Sequence, residues 1–291
     1  MTDPTVTLLW RRQSVWSQAA GQLKARVSRA RTTALTLTIT GAVLGTASAE
    51  LLETAAVPGR VLAACSCIAL ALASYVIAGA GPQVVRDWTR ARSVSEALKA
   101  DVYCYLAGAG AYRDGNREAI GQRRLEELTS SAGDLLKHVA GIEPVRRQLP
   151  LVDGTDSYAE ERVLSQLETY YRPKARKMAE RVRWGRRFEV GLGAFAAALG
   201  AIVAVFPAAA VSAWIGVVTT VATAIAAHVS AARYEHQQIE FTRTADELER
   251  LLARRSSAGG LDDDAFVQAC ERVISIENEG WMAKLGIDED A

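Results

Sequence analysis

A long stretch without charge is the strongest constraint on this chain. From residue 190 to residue 232 there is no Asp, Glu, Lys or Arg, and the sequence is almost all Ala, Val, Gly, Ile and Leu. That is too long for one core helix. It suits two membrane-spanning helices of roughly 20 residues each, divided at Phe206-Pro207. A second apolar block, 32–85, reads the same way. The expected fold is all-α: an integral membrane protein with four transmembrane helices in two hairpins, the spans at 32–52, 61–80, 190–206 and 212–232. Long amphipathic helices in the cytoplasm accompany them.

Bulk composition hides this segregation. The 291 residues are 49% hydrophobic with a net charge of +1, which is unremarkable. The charges, however, crowd the connecting segments and leave the apolar blocks. A near-neutral total gives no electrostatic case for a nucleic-acid partner. The four cysteines make no disulfide framework. Cys65-Ser-Cys67 lies inside an apolar span without a second pair or a neighbouring His, which is weak as a metal site. Apolar buried thiols are the expectation there.

Basic residues set the orientation. Lys24, Arg26, Arg29 and Arg31 precede the first span, and Arg86, Arg90 and Arg92 follow the second. The turn between those spans carries only Arg60. Lys174, Arg176, Lys177, Arg181, Arg183, Arg186 and Arg187 crowd the approach to the third span, and Arg233 and His236 close the fourth. Both termini and the middle segment are therefore expected in the cytoplasm, with the protein multi-pass in the inner (plasma) membrane. No cleavable signal is visible in residues 1–31, so the first span is expected to act as its own insertion signal.

Outside the spans, helical periodicity recurs. Leu8, Leu9, Trp16, Leu23 and Val27 mark an N-terminal helix that can lie on a membrane surface or pack on the rest of the soluble part. Trp88, Ala91, Val94, Leu98, Val102 and Tyr105 mark a second. Leu125, Leu128, Leu135 and Leu136 give the expected buried side of a third over 117–139. Residues 158–189 read as one charged helix bent at Pro173. Ile239, Phe241, Leu248 and Leu251 mark another helix over 235–255. A final helix, capped by Asp262–Asp264, is expected to bury Phe266, Val273, Ile274, Ile276 and Trp281. The segment 141–157, with Pro144, Pro150 and Gly154, is the best boundary. It divides the chain into units 1–150 and 151–291 that repeat one plan with little residue identity.

Three stretches carry a resemblance. Arg90-Ala-Arg-Ser-Val-Ser-Glu-Ala-Leu-Lys99 follows the first hairpin, and Gln166-Leu-Glu-Thr-Tyr-Tyr-Arg-Pro-Lys-Ala175 precedes the second. Glu271-Arg-Val-Ile-Ser-Ile-Glu-Asn-Glu-Gly-Trp281 lies near the end. Their order around two hairpins resembles the SLATT family of two-span bacterial domains, here as two SLATT-like units in tandem. The resemblance implies a membrane-perturbing effector of bacterial conflict systems. It also implies a separate nucleotide-sensing or nucleotide-producing partner.

No catalytic constellation is present. His138, His228 and His236 are scattered, and there is no zinc-protease, nucleophile-elbow or phosphate-loop motif. The expectation is a non-enzyme without cofactor or metal. Polar residues inside spans carry the functional hypothesis. Thr36 and Thr40 share one face of the first span, and Thr219 and Thr223 share one face of the fourth. They line a water path, or each hydroxyl bonds a carbonyl one turn back in its own helix. Glu50 and Glu53 at the outer mouth form an acidic ring in an oligomer, or are solvated loop-edge charges. Four short spans leave little room for a lumen in one protomer. The leading reading is thus an oligomeric pore- or channel-like effector contacting the lipid bilayer. The alternative is a non-conducting scaffold that docks partners through its cytoplasmic helices. A transporter is disfavoured, because no charge lies mid-span.

Overall fold

The computed structural model describes residues 3–113, 115–205, 209–257 and 260–287, with side chains omitted at 209–213, 231–232 and 276–287. Among the described residues there is no strand, and four helices are long and apolar enough to cross a membrane. In hydrocarbon only a helix satisfies its own backbone polar groups within one segment. The protein is an all-α, multi-pass membrane protein. The Phe206-Pro207 break lies outside the described residues.

Helix α1 runs Pro4–Thr54, α2 Ala56–Ala78 and α3 Pro82–Ala107. A short 3-10 turn, Gly110–Tyr112, follows, then α4 (Arg117–Ser130), α5 (Leu136–Val139) and α6 (Thr155–Tyr158). Helix α7 is Arg172–Val205, α8 Ala209–Ala232, α9 Tyr234–Arg255 and α10 Asp263–Ile287. The chain forms two compact units. One gathers residues 1–25, 82–176 and 238–291; the other gathers 26–81 and 177–237.

In the first unit, the helical body, the N-terminal part of α1 is core rather than a surface helix. Asp3 Oδ1 accepts the Thr5 N–H at 2.8 Å and caps α1 ahead of Pro4. Val6, Leu9, Trp10, Trp16, Ala20 and Leu23 then pack with Ala91, Val94, Leu98, Val102 and Tyr105 of α3. The expected stripes land inside. Leu8 and Ile239, read as members of such stripes, are exposed, because each stands one position off its buried row.

The expected helix over 117–139 is interrupted. A 3-10 turn at Gly133–Leu135 tightens the chain and shifts its phase, so Leu135 is fully buried and Leu136 is 52% exposed. Upstream of Pro173 the helix does not simply bend. Two π-helical segments, Ala159–Leu164 and Leu167–Tyr171, join α6 to α7. A wider turn relieves the clash between a proline ring and the carbonyl one turn back. Segment 142–152 has no regular structure but is tied to α1. The Trp10 indole donates to Gln148 O at 2.9 Å, the Val145 N–H to Ser14 Oγ at 3.0 Å and Gln18 Nε2 to Glu143 O at 2.9 Å. Arg147 stacks on the Trp10 ring at 3.5 Å. In α10, Phe266 and Ile274 are buried and Val273 half-buried; the side chains of Ile276 and Trp281 lie outside those described.

In the second unit, the first hairpin turns on one residue, Ala55 (φ −146°, ψ 87°). The expected connection at 58–60 is instead helix. Pro58 is the third residue of α2, where a missing N–H leaves nothing unsatisfied. Gly41 and Gly45, four apart, let the two backbones close as expected of such a pair. A Cβ at Gly41 would stand 2.8 Å from Leu70 Cδ2, and one at Gly45 would stand 3.0 Å from Ser66 Oγ. The Ser66 hydroxyl donates to Gly41 O at 2.7 Å, locking α2 to α1 in its own plane of contact. Cys65 and Cys67 flank Ser66 on the helix, so both point off this contact and are exposed rather than buried.

Candidate functional site

Three of the four span threonines bond carbonyls within their own helices. Thr36 Oγ1 donates to Thr32 O at 3.0 Å, Thr219 Oγ1 to Ile215 O at 2.9 Å and Thr223 Oγ1 to Thr219 O at 2.9 Å. Thr40 has no hydrogen-bond partner among the described residues. All four are exposed on the protomer, as is Glu53 near the hairpin turn, and Glu50 is half-buried. No hydrogen bond among the described residues joins the α1 pair to the α8 pair. A hydroxyl that donates to its own helix still presents its lone pairs outward, so these positions keep a polar face.

The densest chemistry lies elsewhere, in the helical body. Arg162, on the first π-helical segment, is entirely buried. Its Nε donates to Glu271 Oε1 and its Nη2 to Glu271 Oε2, both at 2.9 Å, a two-pronged pair with α10. Tyr158 Oη donates to the same Glu271 Oε1 at 2.9 Å. The guanidinium sits 4.6 Å over the Tyr103 ring. With its amide oxygen turned to the cations, Gln166 accepts from Arg162 Nη1 at 2.7 Å and from Lys99 Nζ at 3.3 Å. Glu96 reaches Arg92 at 2.9 Å and Lys99 at 3.9 Å.

Burial and charge act against each other at each group. Desolvation opposes the charge on Arg162, but Glu271 outweighs it and holds the guanidinium firmly protonated. Burial alone would lift the Glu96 carboxyl; Lys99, Arg92 and Arg162 together hold it below its usual range. Lys99 is pushed down to about 8, first by desolvation and then by the Arg162 charge. Next to this cluster, burial raises the Asp101 carboxyl. Asp101 Oδ1 accepts from Tyr112 Oη at 3.0 Å, while its buried Oδ2 has no hydrogen-bond partner among the described residues. Burial also raises the thiols of Cys104 and Cys270, the latter to about 12, so neither is poised as a nucleophile.

Sequence patterning missed this cluster. Arg162 stands after Glu160 and Glu161 in a segment that reads as a solvated charged helix. A signal was nevertheless present: Glu96 and Lys99 lie in the first of the three stretches that carry the family resemblance, Gln166 in the second and Glu271 in the third.

Residues 158–281 match the family described as SMODS and SLOG-associating 2TM effector domain 1. Residues 158–281 are thus a SLATT domain. Residues 14–119 match a second family, described as a protein of unknown function (DUF4231). Comparison with curated proteins and with solved structures gave no match. The SLATT match begins at Tyr158 and ends at Trp281, so it contains Tyr158, Arg162, Gln166 and Glu271 together with α7 and α8. Glu96, Lys99 and Tyr103 belong to the other match. The buried cluster is therefore built jointly by the SLATT domain and the segment before it, with each side contributing a cation and a carboxylate.

Proposed function

We propose that this SLATT protein is an oligomeric, pore- or channel-like membrane effector of the inner membrane. It acts in a nucleotide-signalled bacterial conflict or defence system, and a separate nucleotide-sensing or nucleotide-producing protein supplies the signal. The activity is non-enzymatic.

One observation carries this reading. No more than 17% of the residues in any span's apolar window are buried within the protomer, and in the third span none is. Spans so thinly covered within one protomer find their neighbours in lipid or in further copies of the chain, and a ring of copies is what encloses a path. The threonine faces of α1 and α8 supply hydroxyls for such a path, with Glu50 and Glu53 at one mouth favouring cations.

A second reading is a non-conducting scaffold. A hollow of about 470 Å³ along α9, lined by Gln238, Ile239, Thr242, Arg243, Asp246 and Arg250, favours it as a place for a docked partner. Potassium release from sealed liposomes separates the two readings. An effector of the proposed kind raises release steeply with protein-to-lipid ratio, whereas a scaffold leaves the vesicles tight at every ratio.

A further inference from the structure

We propose that the segment leading into the second hairpin binds the headgroups of anionic phospholipids. It rests on the reading that α7 crosses a bilayer, but not on conduction. Between residues 174 and 189 stand seven basic residues against Glu180 and Glu189, in a chain whose total charge is only +1. Most of the basic groups are uncommitted. Arg176, Lys177, Arg183, Arg186 and Arg187 are exposed, with no hydrogen bond or ion pair among the described residues.

The aromatic residues point the same way. Trp184 and Phe188, one turn apart on α7, stack at 4.5 Å and are exposed, Trp184 by 62%. Two large rings left in water at the last turn before a charge-free segment fit the headgroup layer, where an indole meets both lipid and water. Arg183 and Arg187 share the neighbouring row of the helix, placing guanidiniums beside the rings at phosphate depth. A guanidinium fork matches a phosphodiester better than an ammonium does. Arg181, by contrast, stacks on Tyr234 at 5.0 Å and fixes α7 to the start of α9. The surface is thus positive, amphipathic and continuous with a membrane span, which suits an anionic bilayer surface.

The test uses the full chain in phosphatidylcholine bilayers carrying trace spin-labelled phosphatidylglycerol or spin-labelled phosphatidylcholine. Electron spin resonance measures the lipid immobilised at the protein. The wild type should prefer phosphatidylglycerol by roughly fivefold or more, the effect of one well-placed basic side chain. R183Q/R186Q/R187Q should lower that preference at least about threefold by the same scale, and R183K/R186K/R187K should largely keep it. In molar salt the wild-type preference should collapse, since the Debye length is then about 3 Å. Equal immobilisation of both lipids by the wild type, an unchanged preference in the glutamine variant, or a preference indifferent to salt would overturn the proposal. Absence of any immobilised lipid would instead overturn the bilayer-crossing reading beneath it.

Discussion

Arg162 and Glu271 stand 109 residues apart in sequence and meet through two hydrogen bonds of 2.9 Å, with the guanidinium fully shut off from water. The pair ties α10 to the π-helical segment that continues into α7. Removing one partner of a buried pair strands the other charge, at a cost of about 3–5 kcal/mol. Glu271→Ala should destabilise the detergent-solubilised protein by that amount in a thermal melt. The double replacement R162M/E271L should cost much less, since apolar residues of similar volume leave no stranded charge. A double variant as unstable as Glu271→Ala would mean that the pair is not the source of the loss.

Two glycines in the first hairpin differ in what they protect. A Cβ at Gly41 meets the flexible end of Leu70, but a Cβ at Gly59 meets Leu52 N at 2.9 Å and Leu52 Cα at 3.0 Å, which cannot step aside. Gly59→Ala should therefore cost about 1–3 kcal/mol by overpacking, and Gly41→Ala distinctly less. Melting temperatures of the two variants give the order.

Lys99 makes the body sensitive to alkaline pH. Its ammonium is held down to about 8 by burial and by Arg162, against roughly 10.4 in an unfolded chain. The unfolded state then binds the proton more tightly, so stability rises with pH between about 8 and 10.4. At about 1.4 kcal/mol per pH unit the gain is at most about 3 kcal/mol. Below pH 8 the contribution is flat. Denaturant titrations across this window should show a steeper rise for the wild type than for Lys99→Met, and equal slopes would remove Lys99 as the cause.

The span positions give a functional prediction. Thr40→Val removes a hydroxyl with no partner among the described residues, whereas Thr36, Thr219 and Thr223 already donate within their helices. If the α1 face lines the path, Thr40→Val should lower potassium release more than Thr36→Val does. Glu50→Gln with Glu53→Gln should reduce the preference for potassium over chloride, read from reversal potentials in planar bilayers. Neither change should alter the melting temperature by more than about 0.5 kcal/mol equivalent, as for surface substitutions.

The spans and most helical stripes were legible because both follow from local rules, namely the absence of charge over twenty residues and a period of 3.6. Leu98, Val102 and Leu248 were placed inside on that basis, and all three are fully buried. The phase shift at Gly133–Leu135 was not legible, since a single 3-10 turn leaves the apolar spacing intact while rotating Leu136 into solvent. Nor were the π-helical turns ahead of Pro173, which the proline signals only as a disturbance. The buried cluster escaped for a different reason. A charged residue in an amphipathic helix normally faces water, and only tertiary pairing over 109 residues turns Arg162 inward. Likewise, the spacing of residues along the chain does not show that 1–25, 82–176 and 238–291 share one compact unit.

In the proposed topology, two hairpins each enter and leave the bilayer on one face. Single cysteines placed at each chain end of an otherwise cysteine-free protein, probed with a membrane-impermeant maleimide in sealed inner-membrane vesicles of known orientation, test this directly. Both ends should label from the cytoplasmic face and neither from the other. Labelling of the two ends from opposite faces would contradict the account.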